Sequence, residues 1–241
     1  MAIKLTTTRA AAQVNGIKVL VHGPAGSGKT TLCATTGAPT VIISAEAGLL
    51  SLRDHDIAVI EVQSIEDVQE AYRFITEDPS AAGFEWVCLD SISEIAEVCL
   101  SAEKLATKDP RQAYGALQDK MGAIIRAFRD LPGKNVYFSC KQERQTEQAT
   151  GAQLYFPSLP GQKLGQGVGY FFDEVFALRV ERDAEGAVTR WLQTGRDLNH
   201  EAKDRSGALD LFEPPNLAHI ATKILTPKAA AAPAPVQPET H

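Results

Sequence analysis

The chain carries the stretch Gly23-Pro24-Ala25-Gly26-Ser27-Gly28-Lys29-Thr30, and this stretch decides its fold. A short apolar run, Ile17–Val21, comes just before it, and a helical pattern over Lys29–Thr36 follows. Glycines at these positions let successive backbone N–H groups converge on an anion, which the positive N-terminal end of a helix also attracts. The spacing matches G-x-x-x-x-G-K-[ST] in the required strand–loop–helix context, so we predict a phosphate-binding P-loop rather than a chance glycine-rich turn.

The P-loop predicts two ligands, ATP and Mg²⁺. Lys29 is expected to reach the β and γ phosphates, and Thr30 is expected to coordinate the metal through its hydroxyl. A strand-end acid normally completes the metal shell, and Asp90 ends the apolar run Trp86–Asp90. The competing interpretation of Asp90 is a helix N-cap, because a helical pattern follows it. The predicted ATP contacts are Gly23, Pro24, Ala25, Gly26, Ser27, Gly28, Lys29, Thr30 and Thr31, and the predicted Mg²⁺ contacts are Thr30 and, through water, Asp90.

Short β-branched runs alternate with helical patterns up to Cys140, which is typical of a parallel sheet with crossover helices. We therefore predict an α/β P-loop fold with a mostly parallel central sheet, flanking helices and an antiparallel edge hairpin. The predicted strands are Ile17–Val21, Thr40–Ser44, Ala58–Val62, Trp86–Asp90 and Asn135–Cys140, with Glu174–Glu181 and Val188–Gln193 as the hairpin at the far edge. The predicted helices are Lys29–Thr36, Ile65–Glu77, Ile92–Leu105, Arg111–Leu131 and Asn216–Leu225.

The length and composition indicate one domain with two extensions. A chain of 241 residues that is 44% hydrophobic can bury one substantial core. We predict an N-terminal segment over residues 1–16, an ATPase domain over 17–226, and a Pro/Ala-rich tail over 227–241 that is disordered because it has nothing to bury. The stretch Lys141–Gly169, rich in Gln, Gly, Thr and Pro, is predicted to be one long functional loop.

Charge and cysteine usage limit the classes of partner. The net charge of −6 repels nucleic acid on average, so DNA binding requires a local basic and aromatic surface. The four cysteines have no close pair, and the five histidines share no metal-ligand spacing, so we expect reduced thiols and no zinc site. With no apolar segment long enough for a signal peptide or a membrane span, the expected location is the cytoplasm.

ATP hydrolysis also needs a group that orients the attacking water. Ser91 occupies the position directly after Asp90, where many P-loop ATPases carry an acid. The candidate is Glu46, two residues beyond the run Thr40–Ser44, because the carboxyl ends of parallel strands meet at one edge of a sheet. The competing interpretation of Glu46 is a solvated surface acid.

The order of these elements resembles the core of the RecA-type ATPases. The P-loop is followed by strands that end in Ala45-Glu46-Ala47-Gly48-Leu49, in Leu89-Asp90-Ser91 and in Ser139-Cys140-Lys141-Gln142. The resemblance implies that Glu46 polarises the attacking water and that Gln142 senses the γ-phosphate.

The segment Glu201–Gly207 follows the last predicted edge strand and resembles the Lys-x-Arg element of hexameric helicases. That likeness implies that Lys203 and Arg205 reach the γ-phosphate of a neighbouring subunit, where positive charge stabilises the transition state. The competing interpretation is an exposed turn with ordinary charges.

The RecA-type core also has two DNA-binding loops, which would fall at Ser101–Tyr114 and Glu143–Gly167 in this chain. Basic and aromatic side chains together suit a single strand, which needs phosphate neutralisation and stacking surfaces. The competing interpretation is a mobile polar loop, because acidic residues accompany the basic ones. The candidate DNA contacts are Lys104, Lys108, Arg111, Arg144, Tyr155, Phe156 and Lys163.

The chain is most similar to the small RecA-like ATPases of bacteriophages, which are core-only recombinases or single-strand annealing proteins. The likeness implies a DNA-stimulated ATPase of low turnover that binds single-stranded DNA and promotes annealing or homologous recombination in the host cytoplasm. The implied partners are single-stranded DNA, further copies of the chain in a ring or filament with ATP between subunits, and a single-strand DNA-binding protein. Two alternatives stay open: a nucleotide-gated protein-interaction ATPase of replication or packaging, which the acidic pI favours, and a small-molecule kinase.

Overall fold

The structure is a computed structural model that describes Leu5, Thr7 and residues 16–46, 48–146 and 151–226. The predicted N-terminal segment, apart from Leu5, Thr7 and Gly16, and the predicted disordered tail over 227–241 lie outside the described residues. The domain boundaries at both ends therefore stay predictions.

A single sheet organises the described residues. Its strands are β1 (Lys18–Gly23), β2 (Thr40–Ser44), β3 (Ala58–Glu61), β4 (Trp86–Asp90), β5 (Asn135–Thr146), β6 (Gln153–Ser158), β7 (Glu174–Arg182), β8 (Val188–Gln193), β9 (Lys203–Asp204) and β10 (Phe212–Glu213). The order across the sheet is β10-β8-β7-β1-β5-β4-β2-β3, with β6 attached to β5 and β9 attached to β7. The pairs from β7 through β1, β5, β4 and β2 to β3 are parallel, and β6, β8, β9 and β10 pair antiparallel.

Helices cover both faces of this sheet. They are α1 (Ile65–Glu77), α2 (Ile92–Ala106), α3 (Pro110–Arg129), α4 (Gln162–Gly167) and α5 (Leu217–Leu225), and 3-10 helices span Thr30–Thr35, Leu49–Leu52, Pro79–Ala81 and Val168–Phe171. One buried cluster lies under α1, α2 and α3, and a second lies under the Thr30–Thr35 helix and α5. Alternate residues of the central strands, such as Val19 and Leu20, belong to opposite clusters, as the strand pleat requires. The predicted α/β fold class is thereby confirmed.

The sequence explains why these elements form. The strands β1, β2 and β4 are buried along their whole length, and buried parallel strands read as continuous apolar runs. Helix α1 begins with a capping box, in which Ser64 Oγ accepts from Asp67 N at 3.1 Å and Asp67 Oδ2 accepts from Ser64 N at 2.9 Å. Helix α3 has Asp109 as its N-cap and proline at its first position, so Asp109-Pro110 separates α2 from α3.

The prediction of one long loop over Lys141–Gly169 is wrong. Strand β5 continues to Thr146 and pairs with β6, residues 147–150 lie outside the described part, and α4 and the Val168–Phe171 helix follow. Pairing between β5 and β6 provides hydrogen bonds for the backbone N–H and C=O groups. The side chains of β5 beyond Gln142 are exposed, so the sequence shows no alternation of apolar and polar residues there. The proposed DNA loop at Ser101–Tyr114 is mostly helical as well, because α2 ends at Ala106 and α3 begins at Pro110.

Two predictions about the sheet edge need correction. The hairpin of β7 and β8 forms, but β7 lies beside the central strand β1, and the far edge is the two-residue strand β10. Lys203 therefore comes before the edge strand β10 in the chain and not after the last edge strand. Together with Asp204 it forms β9, which pairs with β7 before the chain reaches β10.

Candidate nucleotide-binding site

The P-loop joins β1 to the Thr30–Thr35 helix in a conformation that needs glycine. Gly26 has a φ of 72° and Gly28 a φ of 105°, which lie in the left-handed region that disfavours side chains. Lys29 Nζ donates to the carbonyls of Gly23 and Pro24, both at 2.9 Å, so the ammonium group lies against the loop. The Tyr137 hydroxyl donates to Lys29 O at 2.8 Å and anchors the loop from β5.

The helix after the P-loop differs from the prediction. We predicted a helix over Lys29–Thr36, and the structure has a 3-10 helix over Thr30–Thr35. Leu32 N lies 3.2 Å from both Gly28 O and Lys29 O, which is a shared bond of the kind common at helix ends. Leu32 and Cys33 are buried in the core, and this burial fixes the loop over the sheet.

The two predicted magnesium ligands meet at the end of β4. Thr30 Oγ1 donates to Asp90 Oδ2 at 2.6 Å, and Ser139 Oγ donates to the other carboxylate oxygen, Oδ1. Asp90 is buried and is not the helix N-cap, because Ser91 holds that position and accepts from Glu94 N at 3.3 Å. A hydroxyl beside a carboxylate is an oxygen donor set that suits Mg²⁺.

Glu46 lies at the same edge of the sheet. Ser91 Oγ donates to Glu46 Oε1 at 2.6 Å, and Ala45 N donates to Asp90 O at 2.9 Å, so the turn after β2 is fastened to the end of β4. The serine that replaces the expected acid after Asp90 thus positions Glu46. Burial lowers the pKa of Lys29, and the nearby Glu46 and Asp90 carboxylates oppose that shift.

These side chains line a cleft of about 790 Å³. Its wall includes the P-loop, Glu46, Asp90, Gln142 and Arg190, which donates from Nε to Ser27 O at 3.0 Å. The cleft suits the phosphates of ATP: Ser27 Oγ is buried without a hydrogen-bond partner among the described residues, and a Cβ placed on Gly26 would meet no atom within 4 Å. Bound Mg²⁺ would neutralise phosphate charge, with Thr30 and Asp90 holding it.

Gln142 lines this cleft from β5, and its side chain also contacts a residue that the sequence did not single out. His22 Nδ1 lies 3.1 Å from Gln142 Oε1, and His22 Nε2 lies 2.7 Å from Glu201 O. His22 is fully buried at the end of β1, and burial lowers its pKa to about 4.

Lys203 and Arg205 do not line this cleft within the described part of the chain. Lys203 Nζ donates to Gly169 O at 2.7 Å, and Arg205 Nη1 lies 3.0 Å from Asp173 Oδ1. Arg205 is exposed, whereas Lys203 is half-buried in β9, so the segment is not simply an exposed turn. The structure does not bring this pair to the phosphate site of the same chain.

The DNA-binding candidates divide between two places. Arg111 and Lys163 line one groove beside α3, where Lys104 Nζ also lies 5.7 Å from the Tyr114 ring centroid. Arg144, Tyr155 and Phe156 belong to the β5–β6 ladder, in which Arg144 pairs with Tyr155 and Glu143 pairs with Phe156. Lys108 lies in neither place, because it is exposed between α2 and α3.

Sequence reasoning missed three residues of the site. His22, Arg190 and Ser139 contact Gln142, the P-loop and Asp90, respectively. The position of His22 directly before Gly23 and that of Ser139 near a strand end were available signals. Arg190 offered none, because only the pairing of β8 with β7 brings it to the P-loop.

The fold and the cleft define a P-loop ATPase with a RecA-like core. A family model for the AAA domain (AAA_24) matches residues 15–206, and the chain belongs to this family. Its shape is similar to the crystal structure of a KaiC-like protein from the hyperthermophilic archaeon Pyrococcus horikoshii, at 16% sequence identity and a TM-score of 0.44, over 78% of this chain and 84% of that chain. No curated protein matches it in sequence. In the part of the chain that the structure describes, no helix is both long and apolar enough to cross a membrane.

Proposed function

We propose that this ATPase binds single-stranded DNA and promotes annealing or homologous recombination, like the small bacteriophage RecA-type proteins that it resembles. The observation that carries the proposal is a basic groove with exposed tyrosines. This α3 groove runs between α3 and residues 160–171 and combines two adjoining cavities of about 530 and 660 Å³ that share Gln118, Lys163 and Leu164.

The charge of the α3 groove opposes the charge of the whole chain. Its lining has four basic side chains and one acidic side chain, although the chain carries a net charge of −6. Within the described residues, Arg129 pairs with Asp130 at 2.6 Å. No salt bridge there engages Arg111 or Lys163, so these two charges are available to phosphates. The basic residues are Arg111, Arg126, Arg129 and Lys163, and the acidic residue is Asp119.

Aromatic rings at the α3 groove add stacking surfaces. Tyr170 is 83% exposed and Tyr114 is 40% exposed, so both rings present surface to the solvent. The Arg126 guanidinium lies 4.9 Å from the Phe171 ring centroid, which holds a positive charge beside the groove. Positive charges interleaved with exposed rings suit a single strand, whose bases stack while its phosphates are neutralised.

A second part of the proposal concerns assembly. Lys203 and Arg205 lie away from the ATP cleft of their own subunit, and Arg205 is exposed with one carboxylate, Asp173, beside it. An exposed arginine of this kind can supply charge to a γ-phosphate bound in a neighbouring subunit. We propose that the chain assembles as a ring or filament with ATP between subunits.

The test measures fluorescence anisotropy of a labelled oligothymidine at low salt, with and without a non-hydrolysable ATP analogue. Tight binding that needs the analogue is the expected result. Lys163→Ala should weaken binding and reduce the slope of log K against log salt by about 0.7, the value for one lost phosphate contact to a single strand.

Lys120→Ala is the matched control. Like Lys163→Ala, it removes one lysine charge, but Lys120 lies on α3, pairs with Glu103 and does not line the α3 groove. Binding should not change in this variant. A parent protein that binds no oligothymidine at low salt, yet forms a salt-resistant complex with another protein, would replace the DNA proposal with the protein-interaction alternative.

A further inference from the structure

A buried histidine connects the nucleotide cleft to a segment far away in the sequence. His22 is the penultimate residue of β1, directly before Gly23, and its side chain is fully buried. One ring nitrogen, Nδ1, lies 3.1 Å from the side-chain amide of Gln142 (Oε1), which lines the cleft. The other, Nε2, lies 2.7 Å from Glu201 O. Both nitrogens therefore have polar partners, one on each side.

The partners determine which nitrogen carries the proton. The imidazole is neutral near pH 7, because burial lowers the pKa of His22 to about 4, and a neutral ring has one N–H. A carbonyl only accepts hydrogen bonds, so Nε2–H donates to Glu201 O and Nδ1 must accept. The amide of Gln142 must then donate an N–H to Nδ1 of His22. The oxygen and nitrogen of a glutamine amide have nearly the same shape, so this hydrogen bond assigns the Gln142 amide nitrogen to the side that faces His22.

On the other side of the bridge, Glu201 belongs to a segment fastened to β6. Glu201 N donates to Tyr155 O at 2.9 Å, and Tyr155 N donates to Asn199 O at 2.6 Å. The rings of Tyr155 and His200 stack at 4.7 Å between centroids with 11° between planes. The same chain then enters β9 at Lys203. Glu201 is therefore connected both to β6 and to β9.

We propose that His22 is a positioning residue that fixes the amide of Gln142 in the nucleotide cleft and ties it to the segment 199–203. The inference rests on the proposed function only in that ATP is hydrolysed in this cleft. One N–H of the Gln142 amide holds His22, which leaves the second N–H and the oxygen to face the cleft in a fixed orientation. A nucleotide that moves this amide breaks a buried hydrogen bond or moves the imidazole, and the movement reaches Glu201.

Two substitutions separate the two bonds of the bridge. The amide of glutamine reaches about as far as the Nε2 atom of histidine, so His22→Gln keeps a donor for Glu201 O and loses the bond to Gln142. The amide of asparagine reaches about as far as Nδ1, so His22→Asn keeps the bond to Gln142 and loses the bond to Glu201. Both variants leave the ring volume partly empty to a similar extent, which makes each a control for the other.

Steady-state ATP hydrolysis tests the bond to Gln142. We expect Gln142→Ala to lower kcat about 10²-fold, the usual effect of losing one donor at a developing charge, with KM nearly unchanged. His22→Gln should lower kcat similarly, and the double variant with both His22→Gln and Gln142→Ala should lose nothing further. His22→Asn should lower kcat less than His22→Gln does, because it keeps the bond to Gln142. The proposal would be overturned if the two losses of kcat multiply in the double variant, or if the kcat of His22→Gln equals that of the parent.

Amide hydrogen exchange tests the bond to Glu201, and it does not require hydrolysis. A non-hydrolysable ATP analogue should change the exchange of Glu201–Lys203 in the parent, and this change should disappear in His22→Asn although the analogue still binds. An equal change in His22→Asn and the parent, or no change in the parent with the analogue bound, contradicts the proposal. A parent that binds the analogue but hydrolyses no ATP would instead refute the proposed function, and the exchange result would still decide the role of His22.

Discussion

The ATP cleft and the β5–β6 ladder hold polar side chains in different ways. In the cleft, contacts join different kinds of element, since Asp90 at the end of β4 accepts from Thr30 of the 3-10 helix and from Ser139 of β5, and Asp90 is buried. In the ladder, the outer residues of β5 are exposed, and side-chain contacts run between neighbouring strands, as from Gln153 to Thr146 at 2.9 Å. A buried group that loses its partner destabilises the site, whereas an exposed group is hydrated instead. Substitutions should therefore act strongly in the cleft and weakly in the ladder.

The largest effect is expected at Lys29. Lys29→Ala removes the ammonium group beside the P-loop carbonyls, and ATP hydrolysis should fall by about 10²–10³-fold or more because phosphate charge is no longer stabilised. Steady-state phosphate release measures the loss, and Lys120→Ala should hydrolyse ATP like the parent. Hydrolysis that survives in Lys29→Ala would remove the basis for placing ATP in this cleft.

Glu46 and Ser91 should show graded effects. Glu46→Gln should lower kcat by about 10²–10⁴-fold, the range for a lost general base, while nucleotide still binds. Ser91→Ala should lower kcat less, about tenfold, because Glu46 stays but loses the bond that orients it. It should also reduce stability by about 1 kcal/mol, since Ser91 is the N-cap of α2. Equal kcat in Ser91→Ala and the parent would show that Glu46 needs no such support.

A buried carboxyl predicts a pH effect on stability. Burial, together with the neighbouring Asp204, raises the pKa of Glu174 to about 8, from a model-peptide value of 4.5. The folded protein therefore binds more protons than the unfolded chain between those values, so this group lowers stability as pH rises through that window.

His22 has the opposite effect below pH 6.5, because its pKa is lowered to about 4 from 6.5. In the range from pH 6.5 to 8 the opposing effect of His22 is therefore smallest. In thermal unfolding over that range, Tm of the parent should fall relative to Tm of Glu174→Gln, which cannot ionise. Parallel Tm curves for the two proteins would show that Glu174 is ionised in the folded state.

The smallest effect is expected in the ladder. Arg144 is exposed on β5, so Arg144→Ala should change the free energy of unfolding by no more than about 0.5 kcal/mol, as for ordinary surface substitutions. ATP hydrolysis without DNA should equal that of the parent. A large loss of DNA-free hydrolysis in this variant would erase the distinction between cleft and ladder.

The difference between the two regions also explains what could be predicted from the sequence. The strands β2, β4 and β8 and helix α1 have the predicted bounds, and Thr30, Glu46 and Asp90 meet at the predicted edge, because apolar runs and a strict motif mark these places. The outer half of β5 has no such pattern, since neither face of it is buried. The contacts of His22 and Arg190 depend on pairings between distant segments, which spacing along one chain does not reveal.

The most direct test of the account is ATP turnover with and without oligothymidine, measured in the parent and in Glu46→Gln at several protein concentrations. We predict that DNA stimulates the parent and that Glu46→Gln stays near background in every condition. We also predict that turnover rises faster than linearly with protein concentration, which follows from the proposed assembly with ATP between subunits. Turnover that ignores DNA in the parent and survives in Glu46→Gln would contradict both the proposed function and the assignment of Glu46.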